Sequence, residues 1–209
     1  MHLDNFRMSA LADSWGTNIG DYFNGPTLGV AGAITGDSNT AVTFDGSNDY
    51  ATVARQISDD FSIEFWFKST QGIGTSSTWS SGAGLVDADV SGTSNDFGVS
   101  LRSDGYIVAG VGGGSNTSIM SASSGYDDGT WHHVVFTRTK SSGALCLYVD
   151  GGSAASGTGS TVSLTSPANI NFGRIQSGSN YFLGSLDEVA VYNTALSAAT
   201  VTDHYNAAR

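Results

Sequence analysis

The chain is poor in cysteine, proline, glutamate and positive charge, and it contains no long apolar run. Cys146 is its only cysteine, so no intrachain disulfide forms, and outside a cell stability would rest on the core or on a metal. Between Leu145 and Leu147 this cysteine reads as a small buried side chain rather than a nucleophile. Two prolines and few stretches of helical period exclude a helical domain. No segment approaches the roughly 18 apolar residues of a membrane span, which argues against membrane insertion. Eight basic residues face 19 acidic ones, a net charge of -11 that repels nucleic-acid phosphates and anionic membranes. A Gly-x-Ser-x-Gly elbow, a zinc-spaced Cys/His set and a Walker loop are all missing, so nothing supports a serine hydrolase, a zinc site or nucleotide binding.

What is present is β patterning. Apolar residues make up 39% of the 209 residues, and the 28 glycines suit many strands joined by tight turns. From Trp131 to Gly151 two alternating runs flank Lys140-Ser-Ser-Gly143, and the second ends on Asp150-Gly151, which reads as an antiparallel hairpin. Both faces of the Trp131 strand carry apolar groups, so it belongs inside a sandwich. His132 and His133 are consecutive in that strand; they face opposite ways and cannot share one metal or act as one base.

Phe61, Ile63, Phe65 and Phe67 alternate with Ser62, Glu64, Trp66 and Lys68, giving one core face. Further strands are expected at Leu28–Ile34, Ala41–Asp45, Tyr50–Ala54, Gly84–Ala88, Asp96–Leu101, Tyr106–Gly110, Ile119–Met120, Leu145–Val149, Thr161–Leu164, Asn169–Gly173 and Leu183–Tyr192. Met1 to Gly25 reads as an ordered opening loop. One helix is expected, over 196–208, with Ser197 as its cap and Leu196 and Val201 as its hydrophobic staple. With no repeat and no linker, the expectation is one domain over 1–209, with its first and last strands adjacent.

Four motifs, FDGSNDYATV from Phe44, FSIEFWFK from Phe61, the Trp131 hairpin and YFLGSLDEVAVYNTALSAATV from Tyr181, together resemble the laminin-G-like, concanavalin-A-like jelly-roll domains. The resemblance spans about Leu11 to Tyr205. It implies an all-β fold, a two-sheet antiparallel β-sandwich with a short C-terminal helix, and it leaves function open, since the fold hosts lectins, adhesion modules and enzymes. It also implies a structural calcium ion between the opening loop and the Asp-Glu-Val motif, which nominates Asp13, Asn18 and Asp187. Relatives that cleave β-glucans carry Glu, Asp and Glu at alternate strand positions, and this chain has no such triplet.

Other site candidates come from the residues themselves. Asp87, Asp89, Asn95 and Asp96 supply oxygens on a loop that begins like a calcium loop, but Gly98 stands where a bidentate glutamate is needed; turn chemistry is the alternative reading. Trp79, Tyr106, Tyr126 and Tyr181 lie in loops or at strand ends, where they serve either as platforms for a sugar or as core caps. Glycoside cleavage needs two carboxylates facing each other across roughly 5 to 9 Å. Glu64 and Glu188 read as strand partners instead, so the expectation is a noncatalytic protein that binds a glycan or a protein surface. The segment MHLDNFRMSA lacks the basic start and apolar stretch of a secretory signal. The expected setting is therefore a virion surface, as a capsid-decoration or tail-associated subunit that could be oligomeric; the alternative is an extracellular or bacterial cell-surface adhesion domain.

Overall fold

A computed structural model of the chain describes residues 2–3, 6–7, 10–12, 18–92 and 95–209, with side chains over the last two ranges. In chain order the elements are β1 (His2–Leu3), β2 (Phe6–Arg7), β3 (Ala10–Ala12), β4 (Ile19–Phe23), β5 (Thr27–Ala31), β6 (Thr40–Asp45), β7 (Tyr50–Ala54) and β8 (Phe61–Lys68). A 3-10 turn at Trp79–Ser81 precedes β9 (Ala83–Asp87), β10 (Phe97–Leu101), β11 (Ile107–Val111) and β12 (Thr117–Met120). Then come β13 (His132–Thr139), β14 (Ala144–Val149), β15 (Gly152–Thr158), β16 (Asn169–Phe172), β17 (Leu183–Tyr192) and α1 (Ala198–Ala207).

The strands form two antiparallel sheets packed as a sandwich. The first runs β15-β14-β13-β8-β17-β6-β5, with β1 also on β17; the second runs β12-β11-β10-β9-β16-β7-β4-β3-β2. The pairing of His2 with Ala190 places the first described strand beside the last. Alternation explains the interior: Phe61, Ile63, Phe65 and Phe67 on β8 and Val134 and Phe136 on β13 turn inward against Phe97 and Val99 of the opposite sheet. The Phe61 ring lies 5.0 Å from Phe97 across the sandwich and 5.8 Å from Phe136 along the sheet.

The outer face of the first sheet is buried as well, because α1 folds back over it. Ser197 Oγ accepts the Thr200 N–H at 3.1 Å, the expected cap. Val201 is fully enclosed against Val135 and Tyr148, with Leu196 and Cys146 packed beside them. This is why β13 is apolar on both sides, and it leaves Cys146 half-buried under the helix.

Three expectations need correction. The opening segment is not all loop, since β4 pairs with β7 and β3 with β4. Thr161–Leu164 is not a strand: the carbonyls of Ser160 and Val162 are turned toward the buried Arg138 guanidinium, at 2.8 and 2.6 Å, rather than toward a neighbouring chain. Strand β15, of Gly, Ser, Ala and Thr, was not expected. It forms because Asp150 and Gly151, with φ of 51° and 77°, make the tight turn that returns the chain along β14.

Candidate functional site

Of the nominated residues, Trp79, Asp87, Asp89 and Asp96 are enclosed, while Asn95, Tyr106, Tyr126 and Tyr181 are half-buried. Asp87 pairs across strands with Gly98 and Asn171, and the Trp79 indole lies over that patch. A Cβ on Gly98 would stand 2.7 Å from Trp79 Cε3, and one on Gly110 would stand 2.2 Å from Cδ1, so these glycines form the seat of the indole. Trp79 is fully buried, and no face of it is open to a sugar ring; the core-cap reading replaces the platform reading.

Asp87, Asp89 and Asp96 do come together, with Asn95 half-buried beside them. Asp87 Oδ1 accepts the N–H groups of Asp89 and Gln176, both at 2.8 Å, and Asp96 Oδ2 accepts that of Val90 at 2.9 Å. These are turn bonds. Burial pushes all three carboxyls upward, Asp96 to about 6 and Asp87 well above the usual range.

Asp187 is also buried; its Oδ2 accepts the Ala33 N–H at 2.7 Å, and burial raises its pKa to about 6. Its neighbour Glu188 has φ of 48° at a bulge in β17. Asn18 is half-buried, and Asp13 lies outside the described residues. Among the described residues no three His, Cys, Asp or Glu side chains converge on a point that could hold a metal ion. They do not by themselves complete a calcium site, which leaves the calcium expectation with Asp187 and Asn18.

The raised carboxyls have a measurable consequence. A group whose pKa is higher folded than unfolded favours the fold most when protonated, and that benefit is lost as pH rises through its folded value. Stability should therefore fall between about pH 4 and pH 6 through Asp96 and Asp187. Each of Asp96→Asn and Asp187→Asn should recover about 1–2 kcal/mol at pH 7. Urea denaturation at pH 5 and pH 7 checks this; equal losses in wild type and variants would contradict it.

Glu64 is more than a strand partner. One carboxylate oxygen accepts from His133 Nε2 at 2.8 Å, the other accepts the Tyr192 hydroxyl at 2.8 Å, and His204 Nδ1 of α1 lies 3.0 Å away. Burial alone would raise this carboxyl, but the bonds from His133, Tyr192 and His204 outweigh it and hold it below its usual value. With Glu64 so engaged under the helix, it is closed to substrate.

Beside the C-terminal end of α1 the outer face of the first sheet holds a depression of about 430 Å³. Its aromatic walls are Trp66, Trp131 and Tyr205, and Thr35, Thr130, His132, Asp150 and Arg209 supply polar groups. Tyr205 stacks on Trp66 at 5.9 Å and rests on the turn at Gly151, where a Cβ would come within 2.6 Å of its ring. His132 Nδ1 lies 2.9 Å from Asp150 and Nε2 3.2 Å from Asp128. Burial opposes charge on this ring, but the two aspartates prevail and raise its pKa. Both ring nitrogens are taken, so His132 has none left for work as a base. Tyr126, a nominated residue, meets the His132 ring edge-on at 5.1 Å, while Tyr181 is half-buried away from these contacts and Tyr106 lies under the Arg102 guanidinium.

The chain matches the family model described as the concanavalin A-like lectin/glucanases superfamily over residues 45–202, most of its length. It belongs to that superfamily. No curated protein matches the sequence of this lectin/glucanase-superfamily member. Among solved structures, domain 4 of AbnA, a GH43 extracellular arabinanase from Geobacillus stearothermophilus in complex with arabinotriose, is 20% identical with a TM-score of 0.73. That match covers 97% of this chain and 95% of the other. A botulinum neurotoxin type C structure, described through its dependence on two ganglioside molecules for cell entry, is 15% identical with a TM-score of 0.74. The binding domain of botulinum neurotoxin DC with rat synaptotagmin II is 14% identical with a TM-score of 0.71. The superfamily domain here is covered completely by both toxin matches but spans only 50% and 51% of those chains. At these identities the likeness is one of fold.

Sequence reasoning missed the depression. Trp66, Trp131 and Tyr205 were read as strand or helix residues, and only their meeting on one outer face makes them a site. The one available signal was Trp66, a large apolar side chain on the face of β8 that alternation assigns to solvent.

Proposed function

We propose that this domain is a noncatalytic recognition module that binds a glycan in the depression lined by Trp66, Trp131 and Tyr205. The observation that carries the reading is the convergence of three aromatic rings with polar rim groups in a cavity of about 430 Å³. Trp131 and Tyr205 offer stacking area to sugar C–H faces, with Trp66 buried behind Tyr205 as the floor, and rim groups such as Thr130 and Asp150 offer hydrogen bonds to hydroxyls. The absence of catalysis is supported by the carboxylates: Glu64 is saturated and covered, Asp87 and Asp96 are enclosed, and Asp128 and Asp150 clamp His132. The arabinotriose complex of the arabinanase domain, which shares the fold, is consistent with this reading.

Trp131→Ala tests it. Titrating the purified chain with a panel of oligosaccharides should show binding that falls about tenfold or more in the variant, the scale of one stacked ring. A panel without binders, or a variant that binds like wild type, would remove the proposal.

The proposed setting is a virion surface, among capsid or tail subunits, or else the outside of a bacterial cell. Mass spectrometry of purified particles tests the former, and absence of the chain from them removes it. A structural calcium ion at Asp187 is proposed on the same footing. Melting curves with added calcium and with chelator test it, a rise in Tm lost in Asp187→Asn being the supporting result.

A further inference from the structure

The chain holds eight basic residues against 19 acidic ones, and most of those whose side chains are described are held by a carboxylate, a side-chain amide or backbone carbonyls. Among the described residues Arg102 pairs with Asp104 and Lys140 with Asp59. Arg138 is buried and Arg55 half-buried, both donating to backbone carbonyls, and Arg174 donates to Asn171 while lying on Tyr50. Two cations differ. Lys68 Nζ sits 5.0 Å over the Trp131 ring and Arg209 sits 5.0 Å over the Tyr205 ring, where it also donates to the phenol oxygen. Neither has a carboxylate partner among the described residues.

Both rings line the depression of the proposed function. Lys68 also lines a second depression of about 220 Å³, with Thr43, Thr70 and Ser185, so the Trp131–Lys68 pair stands between the two hollows. Lys68 and Arg209 thus stand beside the depression, while His132 at its rim is clamped between Asp128 and Asp150.

We infer that the site selects an anionic saccharide, one bearing a carboxylate or a sulfate, whose ring lies against Trp131 or Tyr205 and whose charged group meets Lys68 or Arg209. The inference rests on the glycan reading above and adds the ligand class. Each cation is held over an aromatic ring instead of on an acid, which leaves its donors available for an incoming oxyanion. The second hollow gives a neighbouring sugar unit somewhere to lie.

The test is calorimetric titration of the full chain with three oligosaccharides of equal length: an oligogalacturonide, a sulfated galacto-oligosaccharide and the neutral galacto-oligosaccharide. At least one anionic sugar should bind about tenfold or more tightly than the neutral one, the scale of one charge-assisted hydrogen bond. Which of the two it is tells carboxylate from sulfate. The double variant Lys68→Gln, Arg209→Gln should bring the ratio of anionic to neutral affinity to about one. Equal binding of neutral and anionic sugars, or a preference that survives the double variant, overturns the charge inference and leaves the glycan reading intact. Failure of every sugar in this set and in the wider panel overturns both.

Discussion

Replacing Glu64 with alanine should lower stability by about 3–5 kcal/mol, the usual cost of removing one partner from a buried ionic cluster. The His133 ring and the Tyr192 hydroxyl would lose their acceptor inside the fold, and α1 would lose the bond through His204. Urea denaturation measures the loss, and hydrogen exchange should show α1 opening first. Because Tyr205 and Arg209 form a wall of the depression, glycan binding should weaken with it. The pH response has the opposite sign to that of Asp96 and Asp187. A carboxyl held low in the fold stabilises above its ordinary value of 4.5, and that contribution is lost as pH falls through the folded value. A variant within about 0.5 kcal/mol of wild type would show the cluster to be incidental.

Trp79→Ala should cost a comparable amount, about 3–5 kcal/mol, through the cavity it leaves. The indole fills the space over Gly98 and Gly110, two positions without side chains that cannot close in behind it. Sugar binding at the depression should change little in comparison, which separates Trp79 from Trp131. If Trp79→Ala abolished binding while leaving stability near that of wild type, the buried tryptophan would be a ligand platform after all.

Strand positions, the paired hairpins, the capped helix and the inward-facing half of each strand were legible in the residues, because alternation and turn chemistry are local properties. Tyr50–Ala54 and Leu183–Tyr192 appear with the expected bounds. The loop of carboxylates around Asp87 was legible as a cluster, although not as an enclosed one, since nothing local says that Trp79 closes over it. Strand β15 was hidden by its composition: backbone pairing along an available edge needs no apolar side chains, and the Asp150–Gly151 turn was its only mark.

Taken alone, then, period-two patterning and the Ser197 cap determined that these residues form stacked antiparallel layers with a terminal helix, and the charge balance made the chain strongly acidic. Tertiary structure decided what lies over each outward face. Alternation specifies only that successive side chains point to opposite sides, so Glu64, Trp66 and His133 read the same whether they meet water or α1. The fold brought β8, the Trp131 hairpin and the last turn of the helix together, and with them three rings and two cations drawn from segments far apart in the chain.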